Sequence, residues 1–176
     1  MATLENEPDF VDELVQLLVS ANARAKISPA RLARSTLYDP DYHTAMIACA
    51  MRVHGVGPKQ SILAPWLKLL QFLAARPALV ERFIGYAAGR QKGTLEPWER
   101  LPHGYLGDDT HETVIDLLVA SGVLKRSGDA IEGGTRFSLL EKVGAYIETE
   151  RIFSAERAIL ERLRPMRVTK VLLGAS

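Results

Sequence analysis

Cysteine occurs once in the 176 residues, at Cys49. A single thiol excludes an internal disulfide framework and any paired-thiol metal or redox motif, and it suits a reducing compartment. Aromatic residues are scarce at 7%, so the two tryptophans, Trp66 and Trp98, stand out as core or interface anchors. Charge of one sign is also lacking. Lys plus Arg number 22 against 21 for Asp plus Glu, a net charge of +1, which gives no global field to recruit a polyanion or an acidic membrane. No apolar run approaches the roughly 18 residues that span a bilayer. The opening residues carry Glu5, Glu7, Asp9, Asp12 and Glu13 where a secretory leader needs a basic and then an apolar stretch. These absences lead us to expect a soluble, cytoplasmic protein with no membrane partner.

Chemical motifs are equally thin. There is no GxSxG elbow and no HExxH or HxH pair. His103, Asp108, Asp109, His111 and Glu112 crowd within ten residues, but metal binding requires convergence on one point at about 2 Å. Capping and the helix dipole account for Asp109 and Glu112, and His111 is expected to face solvent. Gly55-Val56-Gly57-Pro58-Lys59-Gln60-Ser61 echoes a phosphate loop without its spacing or its preceding strand. It reads as a connection between helices. Cys49 is expected to be a buried small side chain, with His43 and His54 off its helical face. We expect no enzyme, no metal site and no cofactor.

The composition that remains, 47% hydrophobic and 24% charged, is that of a globular chain, long enough to bury about 70% of its unfolded surface. Periodicity predicts an amphipathic helix over 8–24 and a short one from Ser28-Pro29 to about Ser35. Asp39-Pro40 opens a helix to about 54 that is apolar nearly all round and therefore central. Ser61 caps another to about 75, and a further one covers 78–88. Residues 89–107 are irregular, with one helical turn near Trp98. Asp109 or Thr110 begins a helix to Ser121, ended by Gly122. Strands follow at Val123–Arg126 and Thr135–Leu139, with Ala130–Glu132 as a brief return between them. Helices run from Leu140 to Arg151 and, capped by Ser154, to Leu163. Val168–Leu173 is a strand or a last helical turn.

Helix, glycine, strand, turn, strand, helix is the order of a winged helix-turn-helix. The predicted class is mainly α: an amino-terminal helical region over 1–58, a winged-helix-like core with a short β-hairpin over 59–151, and a basic carboxyl-terminal helix and tail over 152–176. The helix that would enter a DNA groove offers His111, Glu112, Asp116 and Ser121 and no cation, which argues against base reading and for protein docking. The candidate partner-binding residues are Trp66, Trp98 and Tyr105. Lys125, Arg126, Arg162, Arg164, Arg167 and Lys170 are candidate contacts to an acidic partner or a nucleic-acid backbone. Two helices apolar over most of their girth, 39–54 and 61–75, predict either two central helices or an exposed apolar patch near 600 Å², the upper range for a monomer.

Several stretches resemble the small middle components of bacterial three-component ABC-ATPase systems, which are similar to the winged-helix accessory subunits of SMC-type complexes. They are Tyr38-Asp39-Pro40-Asp41, Leu69-Leu70-Gln71-Phe72-Leu73 before Arg76-Pro77, His103-Gly104-Tyr105-Leu106, the helix–Gly122–wing unit and Arg167-Val168-Thr169-Lys170-Val171-Leu172-Leu173-Gly174. The resemblance spans about residues 38–174. It implies a non-catalytic subunit beside a large coiled-coil ATPase and an effector, in defence against phage or plasmids, touching DNA weakly or through the complex. The alternative is a winged-helix transcription regulator, dimeric through its amino-terminal helices.

Overall fold

The computed structural model describes residues 39–89 and 110–166. The expected helices at 8–24 and 28–35, the turn near Trp98 and the 168–173 tail lie outside the described residues. Six helices and one three-stranded antiparallel sheet make up the rest. They are α1 (Pro40–Val53), β1 (Ile62–Leu63), α2 (Ala64–Ala74), α3 (Pro77–Ala87), α4 (Thr110–Ala120), β2 (Leu124–Ser127), β3 (Ala130–Gly133), α5 (Phe137–Thr149) and α6 (Ser154–Leu163).

Helix α1 starts where the sequence marks it. The Asp39 carboxylate accepts the Asp41 N–H at 3.0 Å and Pro40 fills the first turn, satisfying donors that have no intrahelical partner. It ends on Gly55 at φ 68°, with Val56 N–H on Met51 O at 2.8 Å and Gly55 N–H on Arg52 O at 3.2 Å, the paired bonds of a Schellman cap. Between the caps, nine of its residues are buried, and it packs against α2, α4, α5 and α6. Both nearly all-apolar helices are thus central. α5 crosses α1 tightly at Gly144, where an added Cβ would lie 3.2 Å from both Ala48 O and Arg52 Cδ.

The sheet runs in the order β1-β3-β2. Gly128, at φ 59°, leads the two-residue turn between β2 and β3, the glycine-first position of a II′ hairpin. The neighbouring Asp129 carbonyl accepts the Ala64 N–H at 2.7 Å, so backbone from the hairpin caps α2. Ser61 does not cap that helix as expected. It precedes β1, which pairs Ile62 with Ile131 and Leu63 with Ala130.

The expected strand at Thr135–Leu139 is instead the entrance to α5. The return strand is Ala130–Gly133, the stretch read as a brief turn-back. Gly134 leaves no room for a side chain beneath the Gly122 carbonyl, and Gly133 is packed under the Phe137 ring. Two adjacent glycines under such contacts force the chain to turn. Phe137, Leu140, Val143 and Ile147 then fall on one buried helical face, a 3.6-residue period that overrides the short 2-residue alternation. Ser154 is likewise the first residue of α6, with no side-chain cap bond. The cap position is Phe153, and both it (φ 53°) and Arg151 (φ 55°) are left-handed, flanking buried Ile152.

One apolar cluster takes residues from α1, from the sheet and α2–α5, and from α6. The segments 1–58, 59–151 and 152–176 therefore share a core wherever they are described. No helix among the described residues is long and apolar enough to cross a membrane. Overpacking a tight crossing costs typically 1–3 kcal/mol and replacing glycine inside a helix returns about 1 kcal/mol, so Gly144→Ala is expected to lower stability by about 1 kcal/mol in urea denaturation, with an unchanged m-value. An unaltered midpoint would mean the α1–α5 contact yields freely.

Candidate functional site

Beneath the α4 and hairpin face runs a chain of buried polar side chains. The Gln71 amide nitrogen sits 2.5 Å from His43 Nδ1, and its oxygen sits 2.6 Å from His111 Nδ1. With the amide in this orientation, Gln71 donates to His43 and accepts from His111, so the chain joins α1, α2 and α4. His111 is 2% exposed. It was expected in solvent, and the correction follows from helix phase: with Val114 and Ile115 it lies on the inward side of α4. Burial first, then the Lys68 ammonium and the His43 ring, push the His111 imidazole down to about 3.

Lys68 is also buried, its Nζ 3.6 Å from Glu112 Oε1. The same carboxylate accepts Arg126 Nη1 at 3.1 Å, so Glu112 links a buried cation on α2 to one on the hairpin. Arg126 reaches Asp116 too, at 3.7 Å. Lys125 pairs with Glu132 across the hairpin at 2.7 Å. On the outer side of α4, Thr113, Asp116, Leu117 and Ala120 face solvent. Leu117, 62% exposed, is the one exposed large hydrophobic residue among the described residues. Half-buried Leu118 and Val119 and exposed Ala120 follow it on the same helix.

A second feature opens between α1, α5 and α6. It is a cleft of about 540 Å³ walled by Arg52, Arg157 and Arg164, with Glu148 and Glu161 beside them. Glu148 takes Arg52 Nε at 2.6 Å and Arg157 Nη2 at 2.5 Å, while Glu161 takes Arg157 Nε at 2.9 Å. Hydrogen bonds from Arg52 and then Arg157 hold the Glu148 carboxyl below its usual range. Cys49 lies at the cleft floor, and burial pushes its thiol up to about 11, so the side chain is a protonated, inert thiol near neutral pH. Among the described residues no group of three or more His, Cys, Asp or Glu is placed to hold a metal ion.

The residues singled out from sequence scatter over this framework. Trp66 is 5% exposed and stacked on Phe83, ring centroids 5.8 Å apart. It anchors α3 to α2 and offers nothing to a partner, because α2 is surrounded on every side. Arg162 pairs with Glu81 of α3, and Arg164 lines the cleft. Lys125 and Arg126 both occupy the hairpin. Trp98, Tyr105, Arg167 and Lys170 lie outside the described residues. The His43–Gln71–His111 chain and Lys68 were missed. Their signal was Lys68 and Gln71, three residues apart in an otherwise apolar helix, since polar groups buried with that helix require partners.

The depressed His111 fixes a pH dependence. Its folded value lies below the ordinary 6.5, so the unfolded chain takes up the proton first. This contribution is complete above pH 6.5 and declines as pH falls towards 3, at about 1.4 kcal/mol per unit. Between pH 7 and pH 5 the wild type should therefore lose about 2 kcal/mol more than His111→Gln, read from urea midpoints. Parallel profiles would place the titration elsewhere. Comparison with known protein families, with curated proteins and with solved structures found no match.

Proposed function

We propose that the chain is a non-catalytic docking subunit, built on a winged-helix variant, of a bacterial ABC/SMC-type ATPase complex. Its partners in this reading are a large coiled-coil ATPase and an effector protein, and its setting is cytoplasmic defence against phage or plasmids. The resemblance carried by Tyr38–Asp41, Leu69–Pro77 and the helix–Gly122–wing unit supports the assignment to such a complex. The winged-helix reading draws on strand order. β1 pairs with the return strand β3, and β3 pairs with β2, while α4 leads directly into the hairpin. The variant feature is the interval between α2 and α4, which holds α3 and residues 90–109 where a simple helix-turn-helix has a short turn.

The observation that carries the docking reading is the charge state of the α4–hairpin face. A DNA reader presents free cations to phosphates and base edges. Here α4 has no Lys or Arg, Arg126 is folded onto Glu112 and Asp116, and Lys125 is held by Glu132. An exposed leucine bordered by carboxylates gives this face an apolar point inside a polar rim, the layout of a protein interface.

Two measurements test this. In fluorescence anisotropy at physiological salt, the purified chain should bind random duplex DNA no tighter than about 1 μM, the range of purely electrostatic binding. A specific duplex bound at nanomolar Kd would transfer the assignment to a transcription regulator. Separately, Leu117→Asp should keep the wild-type Tm, as surface substitutions generally do. It should nevertheless lose co-purification with a coiled-coil ATPase from the native host. Equal recovery of that ATPase by both forms would remove Leu117 from the interface.

A further inference from the structure

The cleft between α1, α5 and α6 has a chemistry that the docking reading does not use. Its three guanidiniums come from two helices and a helix end: Arg52 from the last turn of α1, Arg157 from α6, and Arg164 from the cap just beyond α6. Two carboxylates, Glu148 and Glu161, line the cleft with them, and Glu156 lies near enough to act on Cys49, so the site carries no large excess of charge. The carboxylates take only part of the donor capacity. Glu148 engages the Nε of Arg52 and one terminal nitrogen of Arg157, and Glu161 engages the Nε of Arg157. Each guanidinium carries five N–H donors. Both terminal nitrogens of Arg52, one of Arg157 and the whole head of Arg164 thus make no hydrogen bond among the described residues. Arg52 and Arg164 are exposed.

We propose that this cleft binds a small phosphate monoester of about mononucleotide size, held by Arg52, Arg157 and Arg164. Three considerations point to this ligand class. A tetrahedral oxyanion offers three terminal oxygens to donors from three separate side chains, whereas a carboxylate offers two, and arginine forks suit phosphate. Glu148 bridges Arg52 and Arg157, so it limits the freedom of both guanidiniums before a ligand arrives and lowers the ordering cost of binding. The cavity, at about 540 Å³, lies within the 300–1,000 Å³ of small-molecule sites and far exceeds a bare ion.

The remaining wall fits an organic body. Val53 and Cys49 are apolar, and Gly144 leaves its stretch of α5 without a side chain. The lack of a Cβ there also keeps the Arg52 stem in place, since a methyl group would press on Arg52 Cδ. Cys49 contributes contact and no chemistry, its thiol being protonated.

The test is isothermal titration of the full chain in phosphate-free buffer with adenosine monophosphate, adenosine and inorganic phosphate as probes, each at the same ionic strength. The monophosphate should bind at micromolar to millimolar Kd, at least tenfold tighter than either of the other probes. Arg164→Gln, which breaks no ion pair among the described residues, should weaken it at least tenfold. Arg82→Gln, the same loss of charge on the exposed side of α3, should leave it unchanged. Absence of binding by the wild type, equal binding of adenosine, or equal loss in the two variants would overturn the proposal. Inorganic phosphate binding as tightly as the monophosphate would overturn the assignment of an organic ester.

Discussion

Everything in this fold is arranged around the burial of α1. A helix enclosed on all sides needs small residues where neighbours cross and apolar ones elsewhere. Ala45, Ala48 and Ala50 meet the first need, with Met46, Ile47 and Met51 meeting the second. The bare backbone of Gly144 then lets α5 approach the Ala48 carbonyl. Because α2, α4, α5 and α6 all pack on this one rod, the hairpin and the arginine cleft are both fixed relative to it. A change in its crossing with α5 would act on core packing and on the Arg52 side chain together.

Enclosing α1 and α2 also brings polar groups inside. His43, Gln71 and His111 answer one another's hydrogen-bonding needs, and each left alone would cost about 1–3 kcal/mol. Their arrangement is directional as well as protective: it sets the rotation of α4 about its axis, with His111 inward and Leu117 outward. Glu112 then fixes the hairpin to that helix through Arg126 while compensating Lys68. The surface character of the α4–hairpin face is in this way a consequence of what lies beneath it.

Charge is treated differently at the hairpin and at the cleft. At the hairpin, each cation is matched by a carboxylate on an adjacent element, so little positive potential is left for a polyanion. At the cleft, three arginines share two glutamates, and the Arg164 guanidinium has no ion-pair partner among the described residues. A net charge of +1 over the chain conceals this contrast, on which the two proposals rest.

Local sequence determined the elements whose signals are short-range. Asp39-Pro40 set the start of α1, and Gly55 and Gly122 set helix ends because left-handed backbone there favours residues without a Cβ. The continuous apolar character of α1 and α2 marked both as central. Tertiary contacts decided the rest. Thr135–Leu139 alternates like a strand, yet glycines packed under Phe137 and Gly122 turn it into a helix. Ser61 resembles a cap, yet a carbonyl from the hairpin does that work. Trp66, large and apolar, reads equally as core or interface until α3 is seen covering it. Neither the histidine relay nor the cleft was legible, because His43, Gln71 and His111 lie 28 and 40 residues apart and Arg52 lies 96 residues from Glu148. Pairings over such separations follow from helix packing, and no local pattern encodes them.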